Sequence, residues 1–120
     1  MKTILTVDDS RTMRDMLRLV LVDANFTVVQ AIDGVHGLEV LEQSEPDVII
    51  TDINMPNLDG FGFIEEVRRT ARHGSTPILV LSTEGDTEKK QRARHAGATG
   101  WIVKPFDPVK LVDAVRRVAA

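Results

Sequence analysis

Five short apolar runs punctuate this chain, and each is followed by a stretch with helical period. The runs lie near 2 to 7, 27 to 32, 47 to 52, 77 to 82 and 100 to 104. Within them Thr3 to Val7, Val48 to Thr51, Ile78 to Leu81 and Trp101 to Val103, β-branched or apolar and bounded by polar or turn residues, read as buried parallel strands. Between them the period changes. Met13, Met16, Leu17, Val20 and Leu21 fall on one stripe of a 3.6-residue turn, and Leu111, Val112, Val115 and Val118 repeat the pattern near the end. Asp107-Pro108 supplies an N-cap and a first-position proline for the last helix, and Asp59 before Gly60 reads as the cap of the third. Gly74 and Gly97 stand where the third and fourth helices should stop, each suited to a left-handed C′ position. Five strand-then-helix units with no linker, repeat or low-complexity tract predict a single α/β domain over 1–120. Its sheet is parallel, its crossovers are right-handed and its helices cover both faces. A barrel of eight such units would need about twice this length.

Composition narrows the function classes. A chain of 120 residues is long enough for one real core and too short for two of comparable size. With no cysteine there is neither a disulfide framework nor a thiolate metal site, so a cytoplasmic, soluble protein is expected. No apolar stretch is long enough for a signal peptide or a membrane span. A formal charge of -3 makes no case for binding nucleic acid.

The polar residues that matter sit where the apolar runs stop. Asp8 and Asp9 follow the first run, Asp52 the third, Ser82 ends the fourth, and Lys104-Pro105 follows the fifth. In an open parallel sheet, ligands bind beyond the carboxyl ends of the strands, so four distant segments converge on one acidic site. Crowded carboxylates raise one another's pKa unless a cation or hydrogen bonds compensate. Oxygen donors with no His or Cys cluster favour a hard divalent cation. Mg²⁺, which uses few carboxylates and keeps several waters, suits the set better than Ca²⁺. A carboxylate beside such a metal can attack phosphorus, and phosphoryl transfer asks little more than positioning and charge neutralisation.

These segments, VDDSRTMR (7 to 14), DINMPNLDG (52 to 60), LST (81 to 83) and VKPF (103 to 106), resemble the receiver domain of two-component response regulators over essentially the full chain. The likeness is to the single-domain chemotaxis type. It implies a flavodoxin-like, doubly wound five-stranded sheet of order 2-1-3-4-5. It also implies that Asp52 accepts a phosphoryl group from a histidine kinase in a Mg²⁺-dependent reaction. Asp9, Asp52 and the backbone carbonyl of Asn54 would hold the metal, with Asp8 acting through water. Lys104, followed by Pro105 after a cis peptide bond, would pair with the phosphoryl oxygens. Ser82 would hydrogen-bond them and Trp101 would follow it inward as a switch. Asn54 and Glu84 would tune hydrolysis. The chain would catalyse its own phosphorylation and dephosphorylation and would otherwise not be an enzyme.

Taken singly, these residues have plainer readings: an aspartate after a strand as a cap, a lysine as a solvated surface group, Trp101 as a packed aromatic. The joint pattern and its spacing carry the functional reading. His36, His73 and His95 are scattered on expected helices and form no cluster. The fourth helix, from Asp86 to Ala96, has no large apolar residue, so its docking rests on Ala93 and Ala96. Lys89, Lys90, Arg92 and Arg94, with Lys110, Arg116 and Arg117, give a basic face around Trp101. That face of the fourth helix, fifth strand and fifth helix is the expected route to a partner such as a flagellar motor switch protein, bound by a monomer. The chain ends at its last helix, so output is expected to be a binding event. A phosphorelay intermediate or phosphate sink would share the receiver chemistry. A Mg²⁺-dependent aspartyl phosphatase is the remoter alternative, since such enzymes place a D-x-D pattern at the first strand. A flavin binder would need a Ser, Thr and Gly-rich phosphate loop where DDSRTMR stands.

Overall fold

The computed structural model covers residues 1–120 and describes all of them except Glu84 and Asp86. Among the described residues the chain alternates strictly: β1 (Thr3–Val7), α1 (Arg11–Asp23), β2 (Thr27–Ala31), α2 (Gly34–Ser44), β3 (Val48–Thr51), α3 (Gly60–Arg69), β4 (Ile78–Ser82), α4 (Thr87–Ala96), β5 (Gly100–Val103) and α5 (Pro108–Ala119). The strands form one parallel sheet in the order β2-β1-β3-β4-β5. This is the flavodoxin-like architecture expected from the sequence.

Strand alternation divides the core into two layers. Leu5, Val7, Ile49, Ile78 and Val80 face one way, toward Leu41 of α2, Phe61, Phe63, Ile64 and Val67 of α3, and Ala93 of α4. Ile4, Val48, Ile50, Leu79 and Leu81 face the other, toward Leu17 and Leu21 of α1 and Leu111 and Val115 of α5. Central strands covered on both sides need apolar residues at nearly every position, which is why β3 and β4 read as near-continuous runs, whereas β5, expected to be buried, is an edge strand and only partly so, as is β2 at the other edge.

Local signals set most boundaries. Ser10, Asp33, Asp59 and Asp107 cap α1, α2, α3 and α5, each side chain accepting a backbone N–H of the first turn, and Pro108 opens α5. Gly97 follows α4 with φ 118°. Two expectations fail. Met16 does not join the buried stripe of α1; the stripe runs through Met13, Leu17, Val20 and Leu21, and Met16 is 45% exposed one position round the helix. Gly74 does not end α3, which stops at Arg69 with Thr70 in an extended conformation, and turns fill the interval before β4. The side chain of Thr70 donates to Val67 O, offering the last turn a local alternative to continued helix. Among the described residues no helix is long and apolar enough to cross a membrane.

Candidate functional site

Strand order reverses at β1 and β3, and the acidic residues stand at that point. Val7 pairs in register with Thr51, so Asp8 and Asp52 emerge at one level, with Asp52 N donating to Val7 O at 2.9 Å. One carboxylate oxygen from each of Asp8, Asp9 and Asp52 lies within 4.8 Å of the others. Asp8 is buried, Asp52 half-buried and Asp9 exposed, so the cluster opens outward on the Asp9 side.

Lys104 reaches this cluster from the far end of the chain. Ser82 pairs in register with Val103, and Lys104 N donates to Ser82 O at 2.7 Å. The peptide bond between Lys104 and Pro105 is cis, as expected. Lys104 Nζ lies 3.2 Å from Asp8 Oδ2 and 3.4 Å from Asp52 Oδ2. Ser82, at the end of β4, is buried and joined to the lysine through the backbone.

The remaining carboxylate oxygens are oriented locally. Asp8 Oδ1 accepts from Ser10 N at 2.9 Å, and Asp52 Oδ1 accepts from Ile53 N at 2.7 Å. Burial, aided by the neighbouring Asp8 charge, raises the Asp52 carboxyl above its ordinary pKa; the Ile53 N–H and Lys104 act in the opposite direction. Three carboxylates thus cluster, and one ammonium group pairs with two of them, Asp8 and Asp52. An all-oxygen donor set with surplus negative charge fits a hard divalent cation.

Several residues that hold the site were not singled out in the sequence. Arg14, one turn into α1, donates through Nη1 to the backbone carbonyl of Asp8 at 2.6 Å. Asp33 caps α2 and accepts from Asn57 Nδ2 at 2.8 Å. Those hydrogen bonds hold the Asp33 carboxyl below its ordinary pKa, His36 N contributing most and Asn57 next. The Asp33-Gly34 pair after a strand is a recognisable cap signal, but its second bond depends on tertiary placement. Asn54 is exposed on the loop after β3. Glu84 lies outside the described residues.

Trp101 sits away from the carboxylates, half-buried against the layer that contains α3 and α4. A cavity of about 370 Å³ opens beside it between α4 and β5, lined among others by Ala93, Arg94 and Ala98. Ala93 is the one fully buried residue among those described in α4; Ala96 packs partly, and Arg92 stacks 4.1 Å above the Phe61 ring. The expectation of a lightly docked fourth helix holds.

Comparison with known proteins agrees with this geometry. The family model described as response regulator receiver domain matches residues 4–116. The structure of chemotaxis protein CheY4 from Vibrio cholerae superposes with a TM-score of 0.94 at 45% identity, covering 98% of each chain. Among curated relatives, a probable transcriptional regulator ycf27 of Guillardia theta is 37% identical over 96% of this chain. The sensor histidine kinase CheAY of Helicobacter pylori is 33% identical over 95% of it. The chain spans only 44% and 14% of those two relatives' own lengths. Matched along nearly its whole length by the family model and by a solved neighbour of the same architecture, the chain belongs to the response regulator receiver domain family of two-component systems.

Proposed function

We propose that Asp52 is the phosphoryl acceptor of this receiver domain and that a histidine kinase is its donor. The observation that carries this reading is Lys104 Nζ lying within 3.2 Å of Asp8 and 3.4 Å of Asp52. A cation shared between a buried carboxylate and a reachable one is placed to follow the second when it acquires phosphoryl oxygens. Asp9, Asp52 and the Asn54 carbonyl hold Mg²⁺ in this reading, while Asp8, already engaged with Lys104 and Ser10 N, acts at one remove through water. Bound there, Mg²⁺ supplies charge neutralisation for the transferring group. Asp52 Oδ2 forms the new bond to phosphorus as the phosphorus–nitrogen bond of the donor histidine breaks, and the imidazole nitrogen leaves with the electron pair. Lys104 and the Ser82 hydroxyl then take the phosphoryl oxygens. In this reading the chain catalyses its own phosphorylation and dephosphorylation and otherwise acts as a stoichiometric acceptor.

Phosphorylation adds about -1.5 to -2 charge at Asp52. The light docking of α4 and the cavity beside Trp101 support a route in which Ser82 moves inward, Trp101 takes up the space and the face of α4, β5 and α5 changes its affinity for a protein partner. The 45% identity to a chemotaxis protein, with 98% of each chain covered, favours a single-domain chemotaxis role with a flagellar switch component as target. Relatives named as transcriptional regulators, of which this chain spans less than half, favour a second reading with the same acceptor chemistry and a different output.

Acetyl phosphate with Mg²⁺, followed by intact mass measurement, tests the acceptor. One phosphoryl adduct on the parent and none on Asp52→Asn supports it; an adduct on Asp52→Asn or none on the parent rejects it. Tryptophan fluorescence on the same samples tests the Trp101 route.

A further inference from the structure

The loop that follows Asp52 is held from outside. Within residues 53–60 it closes on itself, Gly60 N donating to Ile53 O at 2.8 Å and Leu58 N to Pro56 O at 2.7 Å. What orients the closed loop against the sheet is the turn after β2. Asn57 Nδ2 donates to Asp33 Oδ2 at 2.8 Å, and Gly34 N donates to Leu58 O at 3.2 Å. A Cβ at Gly34 would lie 2.5 Å from Leu58 O, so the two backbones approach this closely only because a glycine stands there. Strands β2 and β3 are not neighbours but flank β1, so these bonds join the segments on either side of the strand that delivers Asp8 and Asp9.

Asp33 is 6% exposed and both its oxygens are committed, one to His36 N at 2.8 Å and the other to Asn57. Asn57 is a surface residue with φ 69°, a left-handed conformation that Asn adopts more readily than most residues. A surface loop residue with strained backbone therefore commits its amide to a buried carboxylate 24 positions away. The same loop begins with Ile53, whose N–H orients Asp52 Oδ1, and carries Asn54.

We propose that Asp33 and Asn57 are positioning residues for the acidic site, fixing the loop that orients the Asp52 carboxylate and presents the Asn54 carbonyl, and thereby setting Mg²⁺ affinity. The proposal rests on the reading of the site as a Mg²⁺-dependent phosphoryl acceptor. Groups that orient metal ligands without touching the metal commonly change affinity 10- to 100-fold when removed. A tie that served only the fold would change stability and leave affinity alone.

Calorimetric Mg²⁺ titration of four proteins separates these outcomes: the parent, Asn57→Gly, Asn57→Asp, and the exchange of Asn57→Asp combined with Asp33→Asn. Asn57→Gly keeps the left-handed backbone permissible and removes only the amide. The double exchange restores the hydrogen bond with donor and acceptor reversed, and its amide oxygen still accepts from His36 N. The Mg²⁺ dissociation constant is expected to rise at least about 10-fold in Asn57→Gly and to return toward the parent value in the double exchange relative to Asn57→Asp. Unchanged affinity in Asn57→Gly alongside a lower thermal midpoint overturns the proposal, as does a double exchange that recovers the midpoint but not the affinity. A parent that binds Mg²⁺ and gains a phosphoryl adduct while Asn57→Gly matches it removes the positioning role alone. A parent that binds no Mg²⁺ and gains no adduct removes the acceptor reading as well.

Discussion

Lys104 Nζ stands 3.2 Å from Asp8 Oδ2, a contact between residues 96 positions apart in the chain. Both side chains are nearly enclosed, 11% and 2% exposed, and Asp52 Oδ2 shares the same ammonium group at 3.4 Å. One cation therefore balances two carboxylates that the fold has partly removed from water. Breaking such an arrangement costs more than forming it contributes, because the remaining partner stays buried and uncompensated.

Lys104→Met should accordingly destabilise the protein by about 3 kcal/mol in urea unfolding. Adding Asp8→Asn to that background should recover part of the loss, since the stranded charge is then gone. Strictly additive effects of the two substitutions would show that the pair is not coupled.

Asp52→Asn should do the reverse at neutral pH. Burial first, and then Asp8, raise the Asp52 carboxyl above its ordinary value, so the folded state binds its proton more readily than the unfolded chain. Its contribution to stability is full below the unfolded pKa and is lost as pH rises through the folded one. Removing the charge should raise stability at pH 7, chiefly because the cost of burying it is lifted. The difference from the parent should shrink on acidification through the carboxylate range. Thermal midpoints measured from pH 7 down to pH 4 check both the sign and the window.

His73 gives an opposite dependence from another part of the molecule. It is 4% exposed, its Nε2 has no hydrogen-bond partner among the described residues, and its pKa is lowered from 6.5 by burial first and by Arg72 second, with Glu42 opposing. Arg72 is itself paired with Glu42 and Glu45. Because the unfolded chain takes up this proton first, stability is full above pH 6.5 and falls as pH drops below it, by at most about 1.4 kcal/mol per pH unit until the folded pKa is reached. His73→Gln should flatten that segment of the stability curve. A slope between pH 6.5 and 5 identical to the parent's would assign it to other groups.

Arg68 holds the end of α4. Its Nε and Nη2 donate to Gly97 O at 3.0 and 2.7 Å, and its Nη1 donates to Thr76 O at 2.7 Å. Gly97 adopts φ 118°, and a Cβ there would meet the Arg68 side chain at 2.7 Å. Arg68→Lys keeps the charge but not the planar fork, and should cost about 2 kcal/mol. Amide hydrogen exchange should accelerate in α4 ahead of α1 and α5, because α4 is clasped by Arg68 and lacks the large buried apolar residues that hold those two helices. Uniform acceleration across all helices would contradict that.

Mg²⁺ gives a prediction tied to the proposed chemistry. At ten times its dissociation constant it should add about 1.4 kcal/mol to stability. Asp9→Asn should abolish most of this gain while leaving the metal-free midpoint little changed, since Asp9 is exposed. An undiminished gain in that variant would remove Asp9 from the ligand set.

Much of this was legible in the chain because it is local. Each strand is a mostly apolar or β-branched run and lies within a residue or two of its expected place; Asp59 and Asp107 cap the helices their positions suggested. The misreadings are local too. Met16 satisfies helical period as well as Met13 does, and only the sheet's placement decides which side of α1 is covered. Gly74 is a good terminator in the abstract, yet α3 has already ended at Arg69.

The sequence by itself determined the alternation of strands and helices and the kinds of polar residue that stand beyond the strands, since period, burial and capping depend on neighbours a few positions away. Only the tertiary structure decided which of those residues meet. The Lys104 contact with Asp8 requires β5 and β1 to be placed within one sheet at a fixed register, and the Asp33–Asn57 tie requires β2 and β3 to flank β1. Such contacts come from packing between whole elements: the order and spacing of the motifs pointed to the acidic site as a whole, but its individual contacts, and the Asp33–Asn57 tie altogether, depend on how those elements pack.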